Sequence, residues 1–291
     1  MQTIGLAMRN SEEEGRPLPA VFSVLEQAGV RFRKSQLVMI AGAPGGGKSA
    51  LALDMAVKMA YGEYNENPVP TLYFSADTDK GTLGTRAAAG VAKFTVSEAE
   101  ELIKSGNAGI WQLLEEATSH IWFHWNRAPD LDDIEAEVIS YAHVMGEYPH
   151  LIIVDNLKNV FVEGNGESGD HIRYDRVLDA LHELAGITGA CIVVLHHVAG
   201  WAENGDQPIP LAGILGKVTK PFGLILTLHR AWDNMLGICV VKNRTGRADP
   251  SGGYILHIPY DLERMQFDHI SMKERVQEET QRDFYSGVVR N

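Results

Sequence analysis

Short apolar runs, separated by longer segments of helical period, set the rhythm of the middle of this chain. Uninterrupted runs occupy Gln36–Ala41, Thr71–Ser75, Ile121–Trp125, Leu151–Asp155, Cys191–His196, Leu224–Leu228, Leu236–Lys242 and Tyr254–Ile258. A strand with no polar face has to be covered on both sides, as strands in parallel sheets are. Between the runs, apolar residues recur at helical spacing over Ser49–Ala60, Gly81–Ala92, Asp130–Met145 and Tyr174–Ala185. The pattern predicts an α/β fold, a mainly parallel twisted sheet flanked by helices. The last three runs follow one another with short turns, so antiparallel strands are expected at one edge. The start is polar and ends in Arg16-Pro17-Leu18-Pro19, and the stretch from Ser271 is charge-rich. The expected organisation is a flexible lead-in over 1–19, one large domain over 20–270 and a charged tail over 271–291.

Composition narrows the class. Hydrophobic residues make up 45% and charged residues 22% of the 291 positions, a globular balance that excludes a disordered chain. No apolar run approaches the ~20 residues that span a bilayer. The N-terminal stretch lacks a basic region followed by an apolar one, so a cytoplasmic protein is expected. Cys191 and Cys239 each sit among β-branched residues and read as buried hydrophobes. The net charge of −12 argues against a simple basic-patch nucleic-acid binder. It leaves open a ring whose inner loops meet a strand.

The strongest chemical signal follows the first run. Gly42-Ala43-Pro44-Gly45-Gly46-Gly47-Lys48-Ser49 fits G-x-x-x-x-G-K-[ST] between a predicted strand and a predicted helix, where a phosphate loop belongs. Glycines let successive backbone N–H groups turn toward a phosphate, and the helix N-terminus adds positive potential. Lys48 is placed to reach β- and γ-phosphates and the Ser49 hydroxyl to ligate Mg²⁺, so ATP and Mg²⁺ are the expected cofactors. The run Leu151–Val154 ends in Asp155, where such proteins keep the acid that organises the metal, with Asn156 beside it.

Three further segments carry a resemblance. Phe74-Ser75-Ala76-Asp77, followed by a helix with Arg86, resembles the F-S-L-E-M segment of DnaB-type helicases. That family's water-activating glutamate maps onto Asp77, one methylene shorter, with Asp79 as the alternative. The run that ends in His196-His197 is similar to that of RepA-type hexameric helicases, where DnaB-type proteins carry a γ-phosphate-sensing Gln. The resemblance implies a sensor here, His196 ahead of His197. Lys242-Asn243-Arg244-Thr245-Gly246 matches the K-N-R-x-G segment, in which lysine and arginine reach the neighbouring subunit's nucleotide.

The resemblance spans roughly residues 20–268 and implies a RecA-like P-loop NTPase core of phage or plasmid type, without the N-terminal helical domain of DnaB helicases. The implied function is an ATP-dependent DNA motor, a DnaB/RepA-like helicase that assembles as a homo-oligomer, a hexameric ring, on single-stranded or forked DNA with replication or recombination proteins. Its strand-contacting loops map onto Val162–His171 and Gly200–Lys217, both Gly-rich and expected to be mobile. Trp201 is a candidate to stack on a base, and Lys217 and Lys220 lie close by. Three rival readings remain: a strand-exchange ATPase of the same fold, a metal-dependent nuclease using the surplus acids Asp77, Asp79, Asp130, Asp132 and Asp133, and an ATP-gated interaction module with negligible turnover.

Overall fold

A nine-stranded sheet organises the chain, in the order β3-β2-β4-β5-β1-β6-β7-β8-β9. The computed structural model describes residues 14–62, 66–162 and 170–268, so the charged tail and most of the segment Val162–His171 lie outside the described residues. The elements in chain order are α1 (Ser23–Gln27), β1 (Leu37–Gly42), α2 (Lys48–Ala60), β2 (Thr71–Ser75), α3 (Lys80–Ala92), α4 (Val96–Lys104), α5 (Ala108–Thr118) and β3 (Ile121–His124). Then come α6 (Leu131–Met145), β4 (Leu151–Asp155), α7 (Asp170–Thr188), β5 (Cys191–His197), β6 (Leu224–Trp232), β7 (Met235–Asn243), β8 (Ile255–Asp261) and β9 (Gln266–Phe267).

Strands β1 to β6 pair in parallel, and β7, β8 and β9 extend the β6 edge antiparallel, as the pattern predicts. The sheet divides the core into two layers. Val38, Ile40, Val193 and Leu195 join α2, α3 and α5 on one face, while Met39, Ala41, Ile192 and Val194 join α6 and α7 on the other. Alternation along each strand thus sorts odd from even residues of β5 between the two layers.

Three helices, the short α1 and the longer α4 and α5, lie outside the predicted pattern. Thr95 and Glu98 form a reciprocal capping box at the start of α4, and the Asn107 side chain caps α5 through the N–H groups of Gly109 and Ile110. Gly200–Lys217 forms three short 3₁₀ turns and buries Ile209 and Ile214. Those two isoleucines supply the apolar anchor that the glycine content of the segment obscures. Among the described residues no helix is long and apolar enough to cross a membrane.

Candidate active site

Register brings the candidate residues to one end of the parallel strands. Gly42 at the end of β1 pairs with His197 at the end of β5, and Ser75 at the end of β2 pairs with Asp155 at the end of β4. The phosphate loop leaves β1 at this end, so Asp77, Asp155 and His197 are gathered around it by topology.

The loop itself depends on glycine where the backbone turns. Gly45 and Gly47 take φ of +69° and +89°, a region costly for side-chain-bearing residues. A Cβ on Gly42 would press against the Leu228 carbonyl at 3.2 Å. Lys48 is buried, and its Nζ donates to the Gly42 and Ala43 carbonyls at 3.0 and 2.9 Å. The ammonium is thereby held inside the loop's own curve. Burial lowers the Lys48 pKa, opposed by the negative charges of Asp155 and then Asp77.

Asp155 lies on the α2 face and is buried. Its carboxylate accepts hydrogen bonds from the Ser49 hydroxyl and, at 3.1 Å, from the Tyr73 hydroxyl. Burial raises the Asp155 pKa, while those two hydroxyls and the Lys48 charge pull it down. The sequence motifs do not single out Tyr73. Alternation is the signal available: it stands two residues before Ser75 on β2, on the side that faces Asp155. The phenol is wholly buried, and burial followed by the adjacent carboxylate pushes its pKa well up, so it stays a donor.

The two candidate acids after β2 have different surroundings. Asp79 is the N-cap of α3, accepting from the Thr82 N–H at 3.0 Å and the Thr82 hydroxyl at 2.7 Å. Asp77 is exposed and accepts from the Asn156 amide at 2.7 Å, whose own carbonyl oxygen is fixed by the Lys158 N–H at 3.0 Å. Asn156 therefore orients Asp77. Asp130 and Asp133 complete a capping box on α6, so those acids too are engaged in helix termination.

The histidine pair splits between layers. His196 faces α7, is fully buried, and bonds the Leu215 carbonyl through Nε2 at 2.9 Å. The Tyr174 ring meets it edge-on at 5.1 Å. His197 faces the phosphate-loop layer, where Lys48 and Asp77 are among the charges that act on it. His197 thus shares the phosphate-loop layer, while His196 stands in the α7 layer, where the Lys48 charge still acts on it. Burial lowers both pKa values, that of His196 to about 4.

Lys242 and Arg244 are not at this site. They follow the register of β7, where Asn243 pairs with Leu224, and Leu224 in turn pairs with Val38 near the start of β1. Both therefore stand at the opposite end of the sheet from the chain's own phosphate loop. Lys242 Nζ donates to the Thr219 and Lys220 carbonyls at 2.7 and 3.0 Å, and Arg244 to the Lys220 carbonyl at 3.1 Å.

Two hollows open at the phosphate-loop end, the first against the loop. One of about 390 Å³ runs from Gly45–Ala50 to Arg86, Val96, Leu262 and Met265, a size suited to a nucleoside. The other, about 230 Å³, lies beside Asp77 and is lined by Lys80, Trp125 and Arg127. Loop, lysine, hydroxyl and strand-end acid together form a nucleoside-triphosphate site.

Comparison with known proteins agrees with that geometry. A family model described as an AAA domain matches residues 16–201. The chain is 36% identical over 260 residues to the Gene 65 protein of Mycobacterium phage L5, covering 87% of this chain and 93% of that one. It is 34% identical over 246 residues to the Gene 65 protein of Mycobacterium phage D29, covering 80% and 100%. Among solved structures, a DnaB-like replicative helicase described with its primase interactions superposes with a TM-score of 0.73 at 14% identity. The match covers 92% of this chain and 65% of that one. A second solved structure, described as an ATPase domain, superposes equally well, TM-score 0.73 at 14% identity, over 92% and 96%. The RecA-like fold is thereby shown.

Proposed function

Since the chain belongs to the AAA domain family of P-loop ATPases, we propose that it is a DNA motor whose copies share each ATP site. The observation that carries this reading is the position of Lys242 and Arg244. Two cations on one short segment are held by backbone carbonyls among the described residues, and they are out of reach of their own phosphate loop. A neighbouring copy's nucleotide is the anion that would complete them, and a planar guanidinium suits γ-phosphate charge in the transition state.

Within one chain the division of labour follows from the contacts. The phosphate-loop N–H groups and Lys48 bind the phosphates, and the hollow beside Arg86 receives the nucleoside. Asp77, aimed by Asn156, is the acid placed to take a proton from attacking water. His197 is the side chain at the β5 end positioned to register the γ-phosphate. Two oxygen donors, the Ser49 hydroxyl and the Asp155 carboxylate, already meet at the loop, and that hard donor set fits Mg²⁺. The ion would neutralise phosphate charge there. Head-to-tail sharing of sites generates a ring when the rotation closes, and single-stranded DNA at its axis is the polymer such a motor would move along.

The test is ATP turnover with and without single-stranded DNA, measured beside solution mass. A ring with DNA-stimulated turnover is expected. A monomer that hydrolyses ATP at full rate per copy overturns the shared site.

A further inference from the structure

His196 is fully buried, on the opposite face of the sheet from the helix that follows the phosphate loop. It stands at the end of β5, one residue before His197. Its Nε2 donates to the Leu215 carbonyl at 2.9 Å, and its Nδ1 is buried with no hydrogen-bond partner among the described residues. The chain leaves β5, makes two of its 3₁₀ turns and comes back alongside itself. Val198 bridges Ile214, and the Ala199 N–H donates to the Gly213 carbonyl at 2.9 Å. Leu215 then opens a tight turn in which Gly216 and Lys217 both take positive φ, +72° and +53°. Immediately beyond it come the Thr219 and Lys220 carbonyls that hold Lys242 and Arg244.

The segment is pinned to the nucleotide end of the molecule as well. A Cβ on Gly205 would lie 2.8 Å from the Ala43 side chain, so the first 3₁₀ turn ends directly against the phosphate loop. One continuous stretch therefore touches the loop at Gly205, is tied to β5 at Leu215 and carries the cation-holding carbonyls at Thr219 and Lys220.

We propose that His196 is a positioning residue: by holding the Leu215 carbonyl it fixes the segment whose carbonyls aim Lys242 and Arg244 at the next copy's nucleotide. This rests on the shared-site reading. It places the two adjacent histidines in different reactions. His197 faces the chain's own triphosphate, and His196 serves the site of its neighbour.

Mixing variants tests the assignment, because each junction takes its phosphate loop from one copy and its cations from the next. Lys48→Ala spoils only the loop half and Arg244→Ala only the cation half. Their one-to-one mixture should regain turnover at roughly a quarter of junctions, and this is the reference. His196→Phe keeps a ring against Tyr174 and removes the donor. Alone it is expected to lower kcat roughly 10²-fold, the scale of a small misplacement, with the KM for ATP nearly unchanged. His196→Gln restores a donor near the Nε2 position and should keep most of the turnover. Mixed with Lys48→Ala, the Phe variant should recover activity as Arg244→Ala does; mixed with Arg244→Ala it should not.

The reverse pattern, recovery with Arg244→Ala alone, would place His196 at its own nucleotide and overturn the proposal, as would any other pattern. Should the Phe variant not fold, His196→Asn, too short to reach Leu215, takes its place in the same mixtures. No recovery in the reference mixture would mean that the shared site itself fails. That result is distinct from failure of His196 within a working reference.

Discussion

The two ends of the sheet hold their charges in opposite ways. At the phosphate-loop end all three polar groups are buried before any ligand arrives: the Tyr73 hydroxyl donates to Asp155, and Lys48 donates to the Gly42 and Ala43 carbonyls. At the other end, the Arg244 guanidinium is exposed, and both cations are held by neutral carbonyls. Pre-satisfied groups make a rigid cradle, since a buried charge without a partner costs more than its hydrogen bonds return. A guanidinium held in solvent by a carbonyl remains open to an outside anion, while partial burial lowers the pKa of Lys242 beside it. On the shared-site reading, one end is built to receive and the other to be delivered.

Substitutions can break that contrast, starting with the largest effect. Lys48→Ala should abolish hydrolysis and weaken nucleotide binding while the fold survives, as read by phosphate release, nucleotide titration and circular dichroism. Arg244→Ala should bind ATP as the wild type does yet lose roughly 10³–10⁵ in turnover, the worth of an arginine supplied in trans. Unchanged turnover would make Arg244 a surface turn residue and remove the delivered half of the comparison.

Asp77→Asn should retain ATP binding and lose roughly 10²–10⁴ in rate, the usual worth of a positioned base. Asp79→Ala is its partner experiment: removing the cap of α3 should lower the urea midpoint modestly and leave turnover alone. If the rates respond the other way round, the catalytic acid is two residues downstream.

Acid separates the layers more gently. The His196 pKa falls from 6.5 to about 4 on folding, chiefly through burial. A histidine that resists its proton in the folded state gives stability that is complete above the unfolded value. That stability is lost as pH falls from about 6.5 toward 4, roughly 3 kcal/mol at the end of the window. Asp155, whose pKa is raised, acts in the opposite sense over the carboxylate range. The informative quantity is therefore the difference in urea midpoint between wild type and His196→Phe across that window. A difference that does not change with pH would mean that His196 titrates normally.

Most of this fold is legible in the sequence because its strands are buried on both faces and its helices are long. β2 and β4 have the bounds that their apolar runs predict, and the other strands differ at their ends, most at the β6–β7 hairpin. The phosphate loop and Asp155 are legible for a different reason, because each is a local motif whose chemistry requires its place after a strand. Tyr73 is hidden, since its partner is 82 positions away and only strand register brings them together. The order of the histidine pair is hidden too, because a dipeptide does not reveal which layer each face of β5 meets. Helices α4 and α5 escape the apolar pattern although Thr95-x-x-Glu98 and Asn107 are ordinary start signals. Asp79, directly ahead of a helical pattern, likewise carries its capping role in plain sight.

The placement of the two half-sites at opposite ends of one chain also gives any assembly a direction. If they meet between copies, every copy has one giving edge and one receiving edge, so contacts can only run head to tail. An open arc then always carries one loop without cations and one pair of cations without a loop, whatever its length. Only closure removes both loose ends. Short arcs lose the greatest share of their sites, so activity per copy should climb with copy number until the circle shuts and then stop climbing.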